Sequence, residues 1–439
     1  MKDQTKMTRR LAGMLSARLP EAGLEKVADP RPDDKRKKWK LSRLLHGAVV
    51  GVAAGAQSCA ETEALTSEMS RSGRRLLGIG RRIPDTTLRA VLTKIAPEEL
   101  RKCLRRQTKS AHRRGALEPV GLPFGMVSVD GKYTAIEAWD EAYSQKQSEG
   151  ADGKNGAHGV VRTFTCSLVS SRAKPCIDAA PIPSATNEMG HFATVLEALV
   201  QTYLRIGLFR LVSADAGSCS EENGRLVVKK LLDYLFGLKG GQPTLLTEAR
   251  ALLSRLAADM ADAETVDICK PYEIRRRLYL SAEMAGFEWE HLRTVLRIET
   301  ETRLIETGEI VPPKNPDDAN RYYISSLVVD ALKPAEWLLA VRLHWGIEND
   351  CHNTWDTAFA EDDRPWIVAS PQGTVVMMLL RRIAYNMLAL YRAVTQRAEE
   401  KRRTPWKALL RWMRDMLVAL DEEDLAGLRN RKTLAAFAE

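Results

Sequence analysis

The chain has 439 residues, enough for two or three domains and a large core. Its 66 Lys and Arg outnumber its 57 Asp and Glu for a formal net charge of +9, which points to an anionic partner, nucleic acid before any other, and says nothing about fold. Seven scattered Cys, never spaced C-x-x-C, speak against a disulfide framework or a Cys-based zinc site, and the apolar run at 374–380 meets Arg381 and Arg382 too soon to span a bilayer.

A soluble, reduced, cytoplasmic protein with no membrane partner is therefore expected. Residues 1–118 read as helical and basic. Apolar residues recur at helical spacing over 41–64, Pro84-Asp85-Thr86-Thr87 opens a helix over 88–95, and Pro97-Glu98-Glu99 opens another. Between 101 and 114 stand Arg101, Lys102, Arg105, Arg106, Lys109, Arg113 and Arg114, with no acid among them. A solvated helix end would give such a run; so would a set of phosphate contacts, the reading favoured here.

At Pro119 the hydrophobic period changes. Met126-Val127-Ser128-Val129-Asp130 is a short strand ending in an acid, with Gly131-Lys132 expected to break it. Strands are predicted over 160–169 and 176–182, then a helix over 193–204. Phe209-Arg210-Leu211-Val212-Ser213-Ala214-Asp215 is another buried strand ending in an acid, followed by a helix over 221–235 and a strand from 234 to 238. The order β-β-β-α-β-α-β is what an RNase H-like domain presents, and neighbouring strands deliver distant acids to one edge of a sheet. Residues 243–264 look helical, and strands at 277–280, 293–301 and 321–327 read as a β-rich insertion. The chain from 334 onward is helical.

The predicted architecture is α/β. A helical, basic domain (1–118) precedes an RNase H-like catalytic domain (119–395, strand-rich insertion about 243–330), and a C-terminal helical tail (396–439) follows. Near the end of the catalytic domain, His344, Glu348, His352 and Asp356 recur at every fourth position, a spacing that holds side chains on one helix face. A solvated helix would more often alternate Lys with Glu. Asp130 and Asp215 as strand-end ligands, closed by Glu348 from a helix, form the all-oxygen set that Mg²⁺ takes in phosphoryl transfer.

Several segments, in this order, resemble the H-repeat-associated family of bacterial insertion-sequence transposases. They are Val127-Ser128-Val129-Asp130-Gly131-Lys132, Ser213-Ala214-Asp215-Ala216, Gly237-Leu238-Lys239-Gly240-Gly241-Gln242, Arg321-Tyr322-Tyr323-Ile324-Ser325-Ser326-Leu327 and His344-Trp345-Gly346-Ile347-Glu348-Asn349. Two later stretches, Asp356–Asp362 as Asp-Thr-Ala-Phe-Ala-Glu-Asp and Leu380-Arg381-Arg382-Ile383-Ala384-Tyr385-Asn386, do so too. The resemblance covers roughly 40 to 395, and implies a DDE triad of Asp130, Asp215 and Glu348 on an RNase H-like fold. It further implies DNA cleavage and strand transfer with Mg²⁺ (or Mn²⁺ in its place), and double-stranded DNA as both element end and target, with residues 1–118 as the DNA-end-binding domain. A homodimer or larger assembly on DNA is expected, because two ends must be held together, in a nucleoid-associated protein. His344, His352, Trp345, Asn349, Asp356, Lys132 and Lys239 are expected to support the triad. A domesticated DNA-binding relative and a non-mobile metal nuclease are the alternatives.

Overall fold

The computed structural model describes residues 2–32, 38–147 and 159–429, with the side chains of 2–6 and 429 left aside; the Gly-rich stretch at 148–158 and the last ten residues of the expected tail lie outside them. Among the described residues one ten-stranded sheet forms the centre. Its strands are β1 (Met126–Ile136), β2 (Ser144–Lys146), β3 (Gly159–Ser167), β4 (Cys176–Pro181), β5 (Leu211–Ala214) and β6 (Asp233–Leu238). β7 (Ala263–Cys269), β8 (Tyr272–Ser281), β9 (Thr294–Leu304) and β10 (Asn320–Ser325) complete it. The order is β2-β3-β1-β5-β6-β10-β9-β8-β7, with β4 also on β3. β1, β3 and β4 run antiparallel in a meander, and β5 and β6 lie parallel to β1.

The strand-rich stretch is thus not a separate insertion. β10 pairs with β6, and β9, β8 and β7 continue the same sheet. β7 is not among the expected strands, and its first two residues fall in the expected helix over 243–264, because its alternation of polar and small residues carries little apolar signal. β1 also runs six residues past Asp130, through Gly131 and Lys132, rather than stopping there. Glu188 packs over Gly131: a Cβ at this position would stand 1.8 Å from a Glu188 carboxylate oxygen, which would have to move aside.

Alternation in the strands gives the sheet two apolar faces. Val127, Val129, Val212, Phe236 and Ile324 point to one, covered by the helices Glu188–Tyr203 and Pro243–Leu253. Met126, Leu211, Leu235, Leu296 and Tyr323 point to the other, covered by the helix Pro334–His344 through Trp337, Leu338 and Val341.

The helical parts are not two lobes. Leu44, Leu45, Leu92 and Leu104 from the first 118 residues share one core with Val375, Leu379 and Met387 and with Leu409, Met413 and Leu417 near the other end. The organiser is the helix Pro371–Leu390; continued to Thr395 it is long and apolar enough to cross a membrane, yet its most apolar stretch is wholly buried inside the fold. The expected helix over 41–64 divides into Leu41–Ala53 and Cys59–Glu68, since Gly55 turns the chain at φ +84° and the Ser58 hydroxyl caps the second helix.

Candidate active site

β1 and β5 are parallel neighbours, and the last registered pair between them is Val129 with Ala214. Asp130 and Asp215 each lie one residue beyond that pair, so both emerge at the same end of adjacent strands. Asp215 leaves its strand at once and accepts from the Gly217 amide at 3.0 Å, which fixes its carboxylate at the head of a short turn. Glu348 arrives from the helical segment that covers the same face of the sheet.

That segment is not one α-helix. Pro334–His344 is α-helical, Ile347–His352 is a π-helix, and Asn353–Thr357 is α-helical again. The wide turn, with i→i+5 hydrogen bonds, accommodates an extra residue and breaks the four-residue stripe. His344 and His352 turn toward the sheet, only 3% and 8% exposed, whereas Glu348, Asn349 and Asp350 face solvent in succession. Beneath the helix the contacts form rungs along β1. Ser128 shares a hydrogen bond with Ser213 at 2.7 Å, and Ser213 meets His344 Nδ1 at 3.2 Å. Asp130 Oδ2 lies 3.5 Å from His352 Nδ1, and Lys132 Nζ lies 2.9 Å from Asp356. Between the last two rungs the strand advances two residues and the helix four, each about 6 Å, whereas His344, eight residues before His352 and across the π-turn, reaches β1 only through Ser213 on β5.

These rungs correct part of the expected set. Lys132 is buried between Asp356 and Asp362 (2.5 Å), so Lys132 and Asp356, expected to support the triad, form an ion pair with each other two residues along the strand from Asp130. The two His are likewise props rather than exposed acid–base groups. Burial pushes His344 down to about 4 and His352 down to about 3, with Arg321 and Arg382 respectively adding to the effect, so both are neutral. Thr165 donates its hydroxyl proton to the Asp130 carbonyl at 2.9 Å, so the 2.8 Å contact from His352 Nε2 must be a donation. The bare Nδ1 then faces Asp130, a tautomer assigned from the hydrogen-bond pattern. His352 is in turn packed at 5.1 Å on Trp355, which carries the buried Arg382 guanidinium at 3.6 Å.

Asp130 is an acid with too much negative charge around it. Burial first, then Glu348, Asp215 and Glu188, raise its pKa to about 8. Burial and Asp215 also raise Glu348, against the lowering effect of Arg321 and Lys239. The three expected acids thus sense one another. Among the described residues, however, no three His, Cys, Asp or Glu side chains are gathered closely enough to hold one metal ion.

Two clefts of about 530 and 250 Å³ meet at Glu348. Trp345, half-buried, stands between them: its indole N–H donates to the Tyr323 hydroxyl at 2.9 Å and Arg321 lies 4.2 Å over its ring. Lys239 lines the smaller cleft with Asp215 and His344, and Asn349 lines the larger. Two residues at this site were not singled out from sequence. Glu188, bonded by the Tyr133 hydroxyl, sits in the first turn of a helix, where an acid reads as a dipole partner. Arg321 was read only as the start of a strand, although it lines both clefts.

The basic run at 101–114 needs correction as well. Asp178 on β4 is fully buried, and Arg101 and Arg105 both close on it at 2.8 Å, with Glu98 as a further partner. Lys102 pairs with Glu99, Arg106 donates to the Gly23 carbonyl at 3.1 Å, and Arg114 pairs with Glu21. The helix Pro97–Arg113 packs on the sheet through Arg101 and Arg105, and Arg106, Lys109 and Arg113 are the three of the seven with no ion pair among the described residues.

A family model described as DDE_Tnp_1-associated matches residues 22–107, the helices that pack on the central buried helix. Over 370 residues, 81% of this chain and 87% of each relative, the chain is 23% identical to the YbfL protein and 24% identical to the H repeat-associated putative transposase YhhI, both of Escherichia coli (strain K12). Among solved structures, the piggyBac transposase synaptic complex with hairpin DNA covers 97% of this chain and 84% of that one, with a TM-score of 0.43 and 11% identity.

Proposed function

We propose that this chain, which resembles the H-repeat-associated transposases along 81% of its length, is a DNA transposase that cuts and joins strands by metal-assisted phosphoryl transfer at Asp130, Asp215 and Glu348. The observation that carries this reading is the shared electrostatics of three acids brought by two strands and a helix to one place. Asp130, raised to about 8 by burial first and then by the charges of Glu348, Asp215 and Glu188, lacks a positive partner, and a divalent cation is the natural compensation. The sheet supports an RNase H-like core: a three-strand antiparallel meander, then two strands parallel to the first, with acids at the ends of β1 and β5.

The donors are all carboxylate oxygens, the set that suits Mg²⁺, with Mn²⁺ in its place. Bound ions would activate the attacking oxygen and stabilise the leaving one. The protein's own groups do the rest. Lys239 and Arg321 place positive charge beside Glu348, where a DNA phosphate would lie. Trp345, held by Tyr323 and Arg321, offers an aromatic face in the same cleft. His352 and Thr165 fix the Asp130 backbone and ring contact from below. Glu348, exposed in the cleft, would complete the carboxylate set that holds the ion. Two protomers or more would act together, one for each element end.

The test is strand cleavage of a duplex containing the DNA that borders the gene. Wild-type protein should cut with Mg²⁺ or Mn²⁺ and stop with a chelator. Asp130→Asn, Asp215→Asn and Glu348→Gln should each lower the rate by at least about a hundredfold while DNA binding persists. Cleavage by Glu348→Gln at the wild-type rate would remove Glu348 from the site.

A further inference from the structure

On the other side of Asn349 from Glu348 lies a third cleft, of about 590 Å³, that the proposed chemistry does not use. The π-turn makes the connection: Glu348 lines the two clefts already described, Asn349 lines the larger of those and this one, and Asp350 lines only this one. One residue therefore separates the acid cluster from the new cleft. Its walls are the β3–β4 turn, the end of the central buried helix with the π-helix Tyr391–Thr395, and the start of the C-terminal helices.

Charge in the cleft is unbalanced. Arg172, Lys174, Arg392 and Arg402 line it, against the acids Asp350 and Glu399. Both acids are already engaged, Asp350 with Lys174 and Glu399 with Arg402. Arg172 and Arg392 have no ion pair among the described residues. Arg172 is exposed on its turn, and Arg392 has a buried Nε with no hydrogen-bond partner. Beside them, Tyr385 and Trp406 stack at 5.2 Å, and Arg392 lies 4.9 Å over the Trp406 ring. Two guanidinium groups with no carboxylate partner among the described residues, one exposed and one laid on an aromatic ring, suit a polyanion, because Arg forks match phosphate oxygens.

Building on the transposase reading, we infer that this cleft holds the phosphodiester backbone of DNA continuing past the scissile position, with Arg172 and Arg392 as its phosphate contacts. The chemistry is the same whether that DNA is the flank of the element end or the target. Flanking DNA would reach the cleft along the strand that passes Glu348 and Asn349.

Binding of the full chain to three duplexes at several salt concentrations tests this. One spans the element end and its flank, one stops at the cleavage position, and one is unrelated target DNA. The variants are Arg172→Gln and the double variant Arg172→Gln/Arg392→Gln; the first lies on an exposed turn and keeps the test free of folding effects. For the duplex with a flank, the double variant should bind about tenfold more weakly, with a log–log salt slope shallower by about 2, and Arg172→Gln should account for about half of the slope change. The duplex without a flank should be unaffected. A loss confined to the unrelated duplex would support the cleft and identify target DNA as its occupant. Unchanged affinity and slope on all three would overturn the inference while leaving the transposase reading intact. Failure of the wild-type protein to bind any of the three would instead overturn that reading.

Discussion

At the scale of single residues, Asp130 makes the sharpest statement. Its carboxyl holds a proton more tightly in the folded protein than in the unfolded chain, because of burial and the charges of Glu348, Asp215 and Glu188. The linkage sign follows. The contribution of Asp130 to metal-free stability is greatest below the ordinary carboxylate range and is lost as pH rises toward about 8, and Glu348, also raised, adds the same sign. The thermal midpoint of chelator-treated protein should therefore fall between about pH 5 and 8, Asp130→Asn should remove most of that fall, and Mg²⁺ should reverse it. A flat profile in the metal-free wild type would show that Asp130 is not under such strain. Asp130 and Asp215 were legible in the sequence because an apolar run ending in an acid announces a strand-end carboxylate. Glu188 was not, because its neighbourhood with Asp130 depends on a close approach across Gly131 that no spacing reveals.

At the scale of elements, periodicity located most strands and helices, and failed where hydrogen bonding departs from the regular form. The stripe from His344 to Asp356 assumed one α-helix; the π-turn sends its first, third and fourth members toward the sheet and leaves Glu348 in the cleft. The basic helix Pro97–Arg113 misled for a different reason. Its cations looked uncompensated locally, yet their partner, Asp178, is more than 70 residues away on β4. Removing one member of such a buried group strands the others, at a cost of about 3–5 kcal/mol. Asp178→Ala should lower the urea midpoint accordingly, whereas Lys109→Ala and Arg113→Ala should leave it nearly unchanged. If Asp178→Ala is as stable as wild type, Arg101 and Arg105 are free to meet DNA after all.

At the scale of the whole molecule, the order of strands could be anticipated but the partition into domains could not. Local composition separates a basic helical beginning from a strand-rich middle. Which surfaces bury one another is a matter of long-range packing. Helices before residue 118 and after 396 close over Pro371–Leu390, a helix that would otherwise expose a continuous apolar surface. A fragment starting at Pro119 should accordingly aggregate or remain molten, with weak near-ultraviolet circular dichroism. A well-folded, monodisperse fragment would show that the shared core is dispensable. Residues 22–107, which the family model matches, include Leu41–Ala53 and Pro97–Arg113, the helices that pack on Pro371–Leu390.

The central claim, that Asp130, Asp215 and Glu348 together hold the metal for strand cleavage, is tested most directly by titrating Mn²⁺ into the DNA-bound protein and following free Mn²⁺ by electron paramagnetic resonance. The wild-type complex should bind about two ions. Asp130→Asn, Asp215→Asn and Glu348→Gln should each weaken that binding by about tenfold or more, since each removes a charged oxygen ligand. Equal Mn²⁺ binding by the wild type and all three variants would contradict it.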